Sequence, residues 1–61
     1  MNKQQQLYNE YLEMQSKEWK ENIINWEDFE EPGTEMSIKV NFKSGMWLRV
    51  YRTKSNEIEW Y

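Results

Sequence analysis

Lys39, Trp47, Arg49 and Tyr51 are the residues whose types and spacing point to recognition chemistry. They alternate with Ile38, Val40, Leu48 and Val50, and this period of two places all four on one face of a strand pair, away from the apolar set. Exposed aromatic rings stack on bases or side chains, and Lys and Arg attract phosphate or carboxylate. The combination therefore suits a protein surface or a single-stranded nucleic acid. Ser37, Asn41, Thr53, Glu57, Glu59 and Tyr61 fall on the same face, and the two glutamates weigh against a polyanion. Protein binding is the first expectation and single-stranded nucleic-acid binding the alternative. The acidic run Glu27, Asp28, Glu30 and Glu31, extended by Glu35, is a second candidate surface for a basic partner. A run this short is also what a solvated turn looks like.

Catalytic chemistry finds little to work with. The 61 residues include no His and no Cys, which removes the commonest general base, the strongest nucleophile and the usual transition-metal ligands. Gly33 and Gly45 are the two glycines, so no phosphate-cradling loop can be built. The carboxylates lack the spacing of a calcium loop. No enzyme activity, metal or cofactor is expected.

The elements that position these residues follow from local pattern. Tyr8, Tyr11, Leu12, Gln15, Trp19, Ile23 and Trp26 recur at steps of three and four, with Leu7 and Met14 on the flanks, which predicts a helix over about 3–22. The helical reading extends to about residue 30, either unbroken or bent or split near 22–25. The bend is preferred, because a straight helix of that length would overrun the strands it packs on. Pro32-Gly33 ends it within a loop over 31–35.

Three strands follow, at about 36–42, 46–53 and 57–61. A three-residue loop, Lys43-Ser44-Gly45, pairs Val40 with Leu48 and Ile38 with Val50, with Gly45 in the left-handed position of a bulged turn. Lys54-Ser55-Asn56 repeats the device, setting Tyr51 opposite Glu59 and Val50 opposite Trp60. This register also sets Lys39 directly opposite Arg49, a like-charge pair that is either splayed into solvent or relieved by an anionic partner. The expected fold class is α+β: an N-terminal helix packed on a three-stranded antiparallel meander, as one small domain spanning 1–61. The expected core is Met36, Ile38, Val40, Phe42, Met46, Leu48, Val50, Ile58 and Trp60 against Leu12, Trp19, Ile23 and Trp26.

Composition sets the outer limits. Residues 1–32 carry three lysines against eight acids, net −5, and residues 33–61 carry net +2. An acidic helical half thus meets a mildly basic sheet half. Four Trp, four Tyr and two Phe concentrate the apolar supply, enough for a marginal monomer that a homodimer would relieve. No run approaches membrane length and the start lacks a signal-peptide core, so a cytoplasmic protein is expected.

A helix followed by three antiparallel strands resembles the first four elements of a double-stranded RNA-binding domain, without its closing helix and basic motif. The start Asn2-Lys3-Gln4-Gln5-Gln6, together with Trp47-Leu48-Arg49-Val50-Tyr51 and Ile58-Glu59-Trp60-Tyr61, resembles small early-region proteins of Gram-positive, staphylococcal-type phages and prophages. That resemblance implies binding to, and modulation of, a host protein inside the host cell.

Overall fold

A computed structural model describes residues 3–29, 33 and 36–61. The chain runs through helices α1 (Lys3–Glu13) and α2 (Lys17–Glu21), then strands β1 (Ile23–Asp28), β2 (Met36–Phe42), β3 (Trp47–Arg52) and β4 (Ile58–Trp60). The strands form one antiparallel sheet in the order β1-β2-β3-β4, and α1 packs on β2 and β3. The α+β class stands, with four strands instead of three.

The fourth strand corrects the helical reading of 22–30. Ile23 and Trp26 lie three positions apart, which is a helical step, yet both face the core from a strand. A β-bulge makes this possible. Ile23 pairs with Phe42 and Asn25 with Asn41, so β1 spends one residue more than β2 over that interval. The inserted residue lets positions three apart share a face, and Ile24, at the bulge, is left 60% exposed. β-Branched and aromatic residues here suit a strand, and β1 satisfies the backbone edge of β2 that a three-stranded sheet would leave bare. The loop expected at 31–35 lies outside the described residues except for Gly33.

The helix expected over 3–22 is interrupted at Met14–Ser16. The Met14 and Gln15 amides donate to the Tyr11 and Leu12 carbonyls, tightening the last turn of α1. Ser16, with φ −69° and ψ 161°, is extended, and its hydroxyl accepts from the Trp19 amide at 3.2 Å as the N-cap of α2. A continuous helix would carry Trp19 about 12 Å along the axis from Tyr11. The break folds it back, so that the Trp19 indole N–H donates to the Tyr11 hydroxyl at 2.9 Å.

Leu7 and Tyr11, one helical turn apart, are fully buried with Ile38, Val40, Phe42 and Val50. Tyr8, Leu12, Trp19, Ile23, Trp26, Met36, Leu48 and Ile58 pack around them. Tyr8 stacks on Trp26 at 5.5 Å and Trp19 tilts against Phe42 at 5.1 Å. Leu7 thus belongs at the centre and not on a flank. Met46 and Trp60, expected in the core, are instead 43% and 38% exposed. Met46 sits at the mouth of the β2–β3 loop, and Trp60 closes the rim by an edge-on contact with Tyr11. Burial pushes the Tyr8 and Tyr11 hydroxyls up from their ordinary pKa of 10.0. At Tyr11 the hydrogen bond from Trp19 pulls the other way, and the neighbouring Tyr8 adds a smaller upward push.

The β2–β3 and β3–β4 pairings are those the three-residue loops require: Val40 with Leu48, Ile38 with Val50, Val50 with Trp60 and Tyr51 with Glu59. Gly45 at φ 92° and Asn56 at φ 67° occupy the left-handed positions.

Candidate functional site

α1 lies on the face of Ile38, Val40 and Val50, and among the described residues no helix lies on the opposite face of the sheet. Strand alternation brings Lys39, Arg49, Trp47 and Tyr51 to that open face. The register aligns Glu27, Lys39 and Arg49 as one row across β1, β2 and β3. The row continues to Tyr61, whose backbone exchanges hydrogen bonds of 2.9 and 3.0 Å with Arg49. Asn25, Asn41 and Trp47 form the next row, and Ser37, Tyr51 and Glu59 the row on the other side.

Trp47 is the hub. The Lys39 ammonium lies 4.7 Å from its ring centroid, and the Arg49 guanidinium carbon lies at the same distance. Arg49 also lies 4.9 Å from the Tyr61 ring and 5.9 Å from Phe29, so its cation sits among three aromatic rings. Phe29 leans on Trp47 at 5.8 Å, and Tyr61 meets Tyr51 edge-on at 5.9 Å. Two like charges directly opposite one another cost stability, and the electron-rich faces of these rings offset part of that cost.

The acidic groups at the margins are held by neighbours. The Tyr51 hydroxyl donates to Glu59 at 2.8 Å. Asn41 donates to the Glu27 carboxylate at 3.1 Å and to the Asn25 carbonyl oxygen at 2.9 Å. Glu27 is therefore drawn towards Asn41, while its register partner Lys39 leans on Trp47. Among the described residues no ion pair engages Lys39.

Of the four residues singled out in the sequence, Lys39, Trp47 and Arg49 come together on one ring, and Tyr51 joins through Tyr61. Phe29 is the member that sequence reasoning missed. It follows β1, and its carbonyl accepts the hydroxyl of the buried Ser37 on this same face. The acidic candidates do not form one surface at the positions described. Glu27 stands on the open face, whereas Asp28, in register with Ile38, is on the helix face. Glu30 and Glu31 lie outside the described residues.

On the helix side, Arg52 donates to Glu10 at 2.6 Å and to the Asn56 side chain at 3.2 Å, at the wall of an open depression also lined by Lys3, Gln6 and Met36. These bonds tie α1 to the β3–β4 turn. Among the described residues no helix is long and apolar enough to cross a membrane. Comparison with protein-family models, curated proteins and solved structures gives no match to this chain.

Proposed function

We propose that this chain is a small protein-recognition module that binds and modulates a host protein through the open face of its sheet, in the manner that its resemblance to small phage proteins implies. The observation that carries the reading is the Arg49 guanidinium held between Trp47 and Tyr61, with Lys39 on the same Trp47 ring. Trp, Tyr and Arg are the side chains that most often anchor protein interfaces. Here they already contact one another in the unbound chain, an arrangement that would lower the ordering cost of association.

Single-stranded nucleic acid is the second reading, favoured by cations beside exposed aromatic rings. Two features count against it. The guanidinium occupies ring faces on which bases would stack, and Glu27 and Glu59 flank the path a phosphate chain would take.

The test is capture from a Gram-positive cell extract with tagged wild type, Arg49→Gln and Tyr61→Ala, each with and without nuclease. Circular dichroism of each variant serves as the control for folding. The proposal expects one protein enriched by wild type regardless of nuclease and lost with both folded variants. Enrichment that vanishes with nuclease, or that survives both substitutions, would overturn it. Oligonucleotide affinity falling steeply with salt would favour the second reading.

A further inference from the structure

We infer that β1 is the seat of a homodimer: it pairs antiparallel with β1 of a second copy about a twofold axis at Trp26, joining two four-stranded sheets into one. The inference concerns the edge of the sheet and goes beyond the reading of its open face.

Three observations carry it. First, β1 is an edge strand, bonded to β2 on one side only. Phe42 bonds to Met46 at the start of the β2–β3 ladder, so alternation turns Asn41 and Lys39 towards β1, and their partners Asn25 and Glu27 towards β2. The backbone N–H and C=O of Trp26 and Asp28 therefore point away from the sheet, and among the described residues nothing bonds to them. Second, the side chains beside Trp26 are self-complementary. Asn41 donates to Asn25 Oδ1 at 2.9 Å and to Glu27 Oε2 at 3.1 Å, which holds both on one face. The Asn25 amide N–H groups and Glu27 Oε1 are left without a partner among the described residues. A twofold axis at Trp26 sets Asn25 opposite Glu27 of the second copy, and Glu27 opposite its Asn25, in the closer, non-hydrogen-bonded pairs. Each amide then donates to a carboxylate, and Trp26, stacked on Tyr8 at 5.5 Å, meets its twin across the axis. Third, the competing arrangements are poorer. An axis at Glu27 or Asp28 would set like charges face to face, and one at Asn25 would carry the bulges of both strands into the ladder. β4, the other edge, is three residues long, and an axis at its middle would oppose two Glu59 carboxylates.

The experiment follows the mass of the full chain by sedimentation equilibrium from micromolar to millimolar concentration, with amide hydrogen exchange read across the same range. The expected result is a rise from 7.7 kDa towards twice that mass, with protection of the Trp26 amide growing in step. Asn25→Asp sets carboxylate against carboxylate at two symmetric pairs and should weaken the dimer about tenfold, equivalent to roughly 1.4 kcal/mol. Adding Glu27→Gln restores an amide–carboxylate pair in the reverse sense and should recover the wild-type affinity. Circular dichroism at the lowest concentration controls for the folding of each variant. A monomer at every concentration, an assembly larger than a dimer, or a dimer whose Trp26 amide stays unprotected would overturn the inference. Equal affinities of the single and double variants would overturn it as well.

Discussion

Removing the Tyr11 hydroxyl tests how the helical layer closes over the sheet. In Tyr11→Phe the ring stays, with its edge-on contact to Trp60 at 5.2 Å, but the acceptor for the Trp19 indole N–H at 2.9 Å is gone. Tyr11 is fully buried and Trp19 half-buried, so the orphaned donor carries a desolvation cost within the range of about 1–3 kcal/mol. We expect a loss of about 1.5 kcal/mol. A domain of this size shifts by about 4–8 °C per kcal/mol, so Tm should fall by roughly 6–12 °C. Urea denaturation of wild type, Tyr11→Phe, Trp19→Phe and the double variant forms the cycle. The hydrogen bond predicts a coupling of about 1 kcal/mol, whereas additive losses would refute it.

The same variant makes a prediction in alkali. Burial raises the Tyr8 and Tyr11 pKa values, so the fold favours the neutral hydroxyls. Their contribution is fully present below about pH 10, the unfolded value, and is lost as pH rises through the raised folded values. Tyr11→Phe removes one of the two groups. Its stability should fall less steeply above pH 10 than that of wild type, and the two curves should converge.

Other substitutions test separate links. Gly45→Ala places a Cβ where nothing lies within 4 Å, so its cost is backbone strain at φ 92° alone, about 1–2 kcal/mol by denaturant titration. Ser44→Ala beside it should change stability by less than about 0.5 kcal/mol. Glu10→Ala strips the carboxylate from Arg52, whose side chain is 16% exposed, and should cost about 2 kcal/mol, between the exposed and buried limits for an ion pair. Glu10→Gln, which keeps an acceptor, should recover part of that loss; equal losses would show that the carboxylate charge carries the contact. Ser16→Ala removes the cap of α2 and should cost about 1 kcal/mol, measured by thermal unfolding.

The features legible in the sequence are those fixed by local chemistry. Gly45 and Asn56 announce their turns because few other residues accept a left-handed backbone. Once each turn has three residues, the register of β2, β3 and β4 follows, including Lys39 opposite Arg49. β1 was hidden by its bulge, which gives Ile23 and Trp26 a helical interval inside a strand. Only pairing with β2, beyond the reach of the local pattern, decides between the two conformations. The break at Met14–Ser16 was hidden for a related reason: a lone Ser carries a weak capping signal, and the contact it makes possible, Trp19 with Tyr11, is tertiary. The candidate site divides the same way. Lys39, Trp47, Arg49 and Tyr51 follow from alternation, while Phe29 could be placed only by knowing that β1 exists.

The order β1-β2-β3-β4 also bears on how the chain reaches this state. Every strand is bonded to its neighbour in sequence, through loops of a few residues at two of the three junctions, so the sheet can form with little loop-closure entropy. The contact between Glu10 and Arg52 spans 42 positions, and docking of α1 is the long-range closure. We therefore hypothesise a transition state in which the β2–β3 hairpin is formed and α1 is not. Substitutions at Val40 or Val50 would then slow folding, while substitutions at Leu7 would mainly speed unfolding. The reverse pattern in stopped-flow kinetics would place the helix first. On this view the open face of the sheet, carried largely by β2 and β3, takes shape early, and the helix arrives afterwards to lock it.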